Sequence, residues 1–116
     1  MERLLEETLR PWGKYCKFHQ EPGVWVKRIE VSPKARLSLQ THRYRSEKWI
    51  VVIGKGVATV DDREIQVKPG TVVDVPLGAV HRLSNPYEEP LVIIEVACGE
   101  SLTEEDITRL QDDYSR

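Results

Sequence analysis

Hydrophobic and polar residues alternate over short runs along most of this chain, and turn residues separate the runs. From Gly13 the period moves towards two, through KYCKFHQ, a turn at EPG, and VWVKRIEV, where Val24, Val26 and Arg28 alternate imperfectly with Trp25, Lys27 and Ile29. ARLSLQTH alternates cleanly, with Arg36, Ser38, Gln40 and His42 on one face and Leu37 and Leu39 on the other. KWIVVI and PLVIIEVAC are apolar on both faces, so both need cover on two sides. VATVDD and REIQVK form a hairpin with its turn at Asp61 and Asp62, and KPG leads into TVVDV. Pro76 to Gly78 makes a tight turn, and Pro86 and Pro90 bracket the loop NPYEEP. About eight to ten short strands with no internal repeat predict an all-β barrel or jelly roll.

The two termini carry a different pattern. MERLLEETL places Leu5 and Leu9 one helical turn apart ahead of PWG. In TEEDITRLQDDY, Thr103 and Asp106 resemble a capping box, and Ile107, Leu110 and Tyr114 form an apolar stripe. The expected organisation is a helical segment over 1–12, a β-barrel over 13–100 and a helix over 101–116 packed on the outside.

Composition narrows the function classes. A chain of 116 residues makes one domain, and a net charge of -2 from 17 basic and 19 acidic residues gives no general attraction to nucleic acid or an acidic membrane. The sequence has no apolar run of signal or membrane-spanning length, so the expected location is the cytoplasm. Cys16 and Cys98 lack a CxxC spacing and read as reduced thiols, and His19 reads as a surface histidine.

The polar face of ARLSLQTH carries the candidate chemistry. If the chain reverses at Arg43 to Ser46, the Gln40 amide, the His42 imidazole and the Glu47 carboxylate converge from neighbouring strands, although Glu47 has the wrong parity for one continuous strand. His81, just past the Pro76 to Gly78 turn, offers a fourth ligand. Two imidazoles, a carboxylate and an amide oxygen leave room on one divalent ion for water or substrate, with Zn the first expectation and Mn, Co, Fe and Ni compatible. Arg36, Arg43, Arg45, Lys48 and Arg82 cluster around these positions in sequence and suit a phosphate. The alternative for Arg43, Arg45 and Lys48 is a solvated turn.

Lys34, Gln40, His42, Glu47 and Gly54 fall at the spacing of the first cupin motif, with Lys34 replacing a glycine and Gln40 a histidine, and Gly70, Pro76, Gly78, His81 and Asn85 match the second at every position. The chain thus resembles the cupin superfamily, which implies a double-stranded β-helix. RPWG, ARLSLQ-x-H, RSEKW, PLGAVHRLSNP and IIEVACGESLTEEDITRLQDDYSR narrow the resemblance to the isomerase domain of type II mannose-6-phosphate isomerases, over roughly Arg10 to Arg116. Where that family commonly reads QMHHHRAEHW, this chain reads QTHRYRSEKW, so Arg43, Tyr44 and Lys48 stand where histidines are common.

The resemblance implies interconversion of mannose-6-phosphate and fructose-6-phosphate through an enediol. It implies Gln40, His42, Glu47 and His81 on the metal, Arg82 as catalytic arginine, and Arg36, Arg45 and Lys48 on the substrate. A mannose-1-phosphate guanylyltransferase, often fused to this domain, is the implied partner. Leu37, Leu39, Ile50 and Val52, opposite the ligand faces, predict a homodimer. The competing readings are a different metallo-cupin enzyme, such as a dioxygenase, and a non-catalytic sugar-binding or regulatory cupin. Glu47, His42 and His81 are committed to the metal, Tyr44 and Asp74 are near only in sequence, and the general base stays unassigned.

Overall fold

A computed structural model describes residues 6–114. Eleven strands follow the chain: β1 Thr8–Arg10, β2 Gly13–Glu21, β3 Val24–Val31, β4 Leu39–Thr41, β5 Arg45–Ile53, β6 Gly56–Val60, β7 Arg63–Val67, β8 Val72–Val75, β9 His81–Ser84, β10 Leu91–Gly99 and β11 Thr108–Gln111. They form a six-stranded sheet in the order β1-β2-β3-β10-β5-β8 and a five-stranded sheet in the order β11-β4-β9-β6-β7. Both sheets are antiparallel. This is the all-β, cupin-type jelly roll that the strand pattern and the motifs predict.

Alternation explains the packing. β3 is strictly alternating, with Trp25, Lys27, Ile29 and Val31 buried, so the imperfection read from its sequence is a charged residue on the inward face. β5 turns Arg45, Glu47, Trp49 and Val51 inward, and β10 turns Leu91, Ile93, Glu95 and Ala97 inward. The six-stranded sheet's valines and leucines meet Ala58, Val60 and Leu83 from the five-stranded sheet in one core. KWIVVI is covered on one face only, since Ile50 and Val52 are exposed on the other. Leu37, expected on the outer face, packs against the core instead, because the regular pleat of β4 begins only at Leu39.

The motif positions have structural reasons. Lys34, where the cupin pattern has glycine, has φ 63°, a left-handed conformation that glycine adopts without steric cost. Gly54, at φ 81°, lies so close to Pro90 that a Cβ there would be 2.2 Å from its carbonyl oxygen. Asn85 is buried and donates to the carbonyls of Val31, Ser32 and Glu89 while accepting from Tyr87 N, which ties the 86–90 loop to the end of β3.

The terminal helices are not found among the described residues. Leu5 lies outside them, and Thr8–Arg10 is a strand paired with β2. Thr108–Gln111 pairs with β4, and the Asp106 carboxylate accepts from Arg43 N and Tyr44 N. β4 has an open edge whose backbone groups need partners, and this non-local pairing wins over the local helical spacing.

Candidate active site

The reversal at 43–44 resolves the parity problem at Glu47. Gln40 leaves β4, His42 follows it, and Glu47 re-enters the same interior from β5 in the other sheet. The turn after β8, closed by Ala79 N donating to Pro76 O at 3.0 Å with Gly78 at φ 80°, delivers His81 to the start of β9, directly opposite Gln40. All four side chains are buried, and ligating atoms of His42, Glu47 and His81 lie within 4.8 Å of one another.

Hydrogen bonds orient the donor atoms. His42 Nδ1 donates to Asp106 O at 2.5 Å, and its Nε2 accepts from Arg45 Nη2 at 3.1 Å. His81 Nδ1 donates to Ala79 O at 3.0 Å, leaving Nε2 as its lone-pair nitrogen. Gln40 Nε2 is taken up by Ser38 O and Oγ, so Oε1 is its remaining donor atom for a cation. Backbone carbonyls on the distal ring nitrogens are the arrangement that fixes metal-binding imidazoles. Arg45 Nε also donates to Glu47 Oε2 at 2.9 Å. A guanidinium thus sits against Glu47 Oε2 and His42 Nε2, marking the position as one that takes positive charge. The donor set fits a divalent ion, which would compete with Arg45 for those two atoms.

Titration follows the same layout. Burial lowers the His42 pKa to about 4, against the opposing pull of Glu47. Burial pushes Glu47 up, but His81, Arg45 and His42 outweigh it and hold the carboxylate at about 2. Burial, and then the Glu47 charge, raise Glu95 well above the usual carboxylate range. Glu95 hydrogen-bonds Glu47 and accepts from Trp25 Nε1, the latter at 3.0 Å. Trp49 Nε1 donates to Glu47 Oε1 at 2.9 Å.

Of the cations expected at the substrate, Arg45 is in the cavity. Arg36 lies outside it, paired twice with Asp113, and Lys48 points outward from β5 to Asp74 at 3.0 Å. Arg43 and Tyr44 are exposed, so the positions that depart from the common family histidines leave the cavity's donor set unchanged. Arg82 adjoins the cavity, but its guanidinium donates to Leu37 O at 2.9 Å and to Gln111 Oε1 and O at 2.7 and 3.2 Å, clamping β11. Sequence reasoning missed Lys27, Glu95, Glu104 and Arg109, all of which line the cavity. Lys27 and Glu95 had a signal: each is a charge on the apolar parity of its strand. Glu104 and Arg109 had none, because the tail reads as a helix.

Known proteins share this chain's sequence and fold. The chain is 46% identical over 110 residues to the alginate biosynthesis protein AlgA of Pseudomonas aeruginosa, covering 95% of this chain and 23% of that one. It is 41% identical over 114 residues to the mannose-1-phosphate guanylyltransferase of Escherichia coli, covering 98% and 24%. It thus spans about a quarter of the length of the curated relatives it matches. The capsular polysaccharide assembling protein CapF of Staphylococcus aureus superposes with a TM-score of 0.79 at 26% identity, over 95% of this chain and 35% of that one. The cupin-2 domain Rru_A2000 of Rhodospirillum rubrum shares the fold, with a TM-score of 0.69 at 22% identity over 80% of this chain and 67% of that one. The family described as Mannose-6-phosphate isomerase C-terminal matches residues 2–112, and this chain belongs to it.

Proposed function

We propose that the domain is a metal-dependent isomerase interconverting mannose-6-phosphate and fructose-6-phosphate. The observation that carries this reading is a buried set of Gln40, His42, Glu47 and His81, with both imidazoles held by backbone carbonyls at Nδ1, in a chain of this family. A divalent ion, Zn foremost, held by those four residues would supply Lewis-acid stabilisation of an enediolate.

The chain's own residues do the remaining work. Trp49 and Arg45 fix the Glu47 carboxylate, and Glu95, its carboxyl pushed up by burial and by the Glu47 charge, stands beside it in the cavity. Arg45 offers a planar fork to substrate oxygens once it leaves Glu47. Arg82 acts by position in this scheme, holding β11 so that Arg109 stands opposite Gln40. Arg36 and Lys48 serve at most as distant attraction for an anion. A cytoplasmic location beside a guanylyltransferase, in the same chain or another, is part of this proposal, and the relatives' fusion to such an enzyme supports it. The exposed face bearing Ile50, Val52 and Val72 is proposed as a homodimer contact, which sedimentation at micromolar concentration tests directly.

The deciding experiment is NMR of metal-loaded protein with mannose-6-phosphate in deuterated water. Deuterium entering at the second carbon, with ketose appearing, is the expected result. Binding of the sugar phosphate without either change would replace the isomerase with a binding module.

A further inference from the structure

Lys27 stands in the middle of β3 on the buried parity, its side chain 5% exposed. Its ammonium lies 4.2 Å from the ring centroids of both Tyr15 and Trp25. Aromatic faces lower the cost of a buried cation but do not neutralise it. The neutralising partner is Glu104 Oε2, 2.6 Å from Lys27 Nζ and 3.9 Å from Lys17 Nζ. Lys17 also sits over the Trp25 ring, at 4.4 Å. One carboxylate oxygen therefore lies between two ammonium groups at the edge of the cavity that contains the metal-ligand set.

The two sides of this contact are built differently. Lys17 and Lys27 belong to paired strands, in register with each other. Glu104 belongs to residues 100–107, which have no strand or helix, and its side chain is 42% exposed. The segment is laid across the cavity by Thr103 O, which accepts from Arg45 Nη1 at 3.0 Å, and by Asp106. The space beneath is about 100 Å³, small beside the roughly 300–1,000 Å³ of sites that enclose a ligand. The two lysines thus stand on paired strands, and the carboxylate stands on a partly exposed segment outside them.

We propose that Lys17 and Lys27, with Arg45 beside them, form the binding site for a substrate's phosphate, and that Glu104 is its internal stand-in, holding the anion position until a phosphate displaces it. The identity of the anion rests on the isomerase reading; the existence of the anion site rests on the ion pairs alone. A phosphate carries more charge and more acceptor oxygens than a carboxylate and engages both lysines at once. Glu104 then sets affinity by competition, and its release moves the 100–107 segment off the cavity.

The test is calorimetric titration of the metal-loaded protein with inorganic phosphate. Glu104→Gln removes the competitor and is expected to tighten phosphate binding by about 3- to 10-fold, whereas Lys27→Met weakens it by about tenfold or more. Glu105→Gln, the same charge change on the neighbouring exposed residue, leaves the affinity within about twofold. In the Lys27→Met background the Glu104→Gln gain is expected to shrink, which measures the coupling directly. Unchanged or weaker phosphate binding in Glu104→Gln overturns the proposal, and this exposed substitution does not depend on how well Lys27→Met folds. If Glu104→Gln tightens phosphate but wild type exchanges no deuterium into mannose-6-phosphate, the anion site stands and the isomerase reading falls. If turnover proceeds and phosphate affinity ignores Glu104, the reverse holds.

Discussion

The register of β3, β10 and β5 allows the two halves of the barrel interior to be compared row by row. Ile93 stands between Ile29 and Val51; two residues along, Glu95 stands between Lys27 and Trp49; two further, Ala97 stands between Trp25 and Glu47. The same strands and the same inward parity thus make a dry row and a charged row about 7 Å apart. In the dry half, burial of Val31, Val51, Val60, Leu83 and Leu91 stabilises the fold. In the charged half, each polar group is tied to another, and no buried side-chain nitrogen or oxygen among the described residues lacks a partner. Stability and chemistry therefore occupy different lengths of the same strands, and substitutions should separate them.

His81→Ala gives the largest expected effect, on the charged half alone. Metal affinity should drop on the order of a thousandfold, about 4 kcal/mol, with a folded barrel remaining by circular dichroism. Retention of full metal content after dialysis would remove His81 from the ligand set. Leu91→Ala tests the dry half. Leu91 is fully buried, and truncation should cost about 3 to 4 kcal/mol in urea unfolding while metal binding per folded molecule persists. A large loss of metal affinity there would show that the halves are not independent.

The pH dependence of chelator-treated protein comes next. The folded pKa of His42 is about 4 against an ordinary 6.5, so its contribution is full above 6.5 and is lost as pH falls towards 4. That loss is at most about 3 kcal/mol. Glu47, held at about 2, adds a further loss below its ordinary 4.5. Glu95 has the opposite sign, because its raised folded pKa makes its contribution largest below 4.5 and diminishing as pH rises, so it opposes the His42 effect. In a Glu95→Gln background, which removes the opposing carboxyl, urea midpoints that stay level between pH 6.5 and 4 would contradict a neutral buried His42. The smallest effect is expected from Lys48→Ala. Lys48 pairs with Asp74 outside the barrel, and turnover should stay within about twofold of wild type. A larger drop in initial rate would return Lys48 to the substrate site.

Much of this comparison was legible beforehand. Of the four residues that alternation puts on one face, Ser38, Gln40 and His42 are interior and Arg36 is not, and the Pro76 to Gly78 turn presents His81 as its residues imply. The charged row was legible in principle, since Lys27 and Glu95 interrupt apolar parities, but a single charge in such a run has no partner visible in sequence. Its partners come from residues far along the chain, as Lys27 with Glu104 shows. Position relative to the cavity was less legible still. Arg36 and Lys48 are near the ligands in sequence, yet Asp113 and Asp74 hold them elsewhere. The tail failed for a related reason: the spacing of Ile107 and Leu110 suits a helix, and only the open edge of β4 makes it a strand.

The order of strands in the larger sheet also bears on how the chain comes to be folded. β10 lies between β3 and β5, so two strands made earlier remain unjoined until residues 91–99 have left the ribosome. Until then Val24–Val31 and Arg45–Ile53 each carry an unpaired edge, and the apolar rows they will share with β10 face water. Closure spans long stretches of sequence, which makes it slow compared with hairpin formation. During synthesis the nascent domain is thus exposed to strand pairing between neighbouring chains, and the arrival of one late strand ends that exposure for both edges at once.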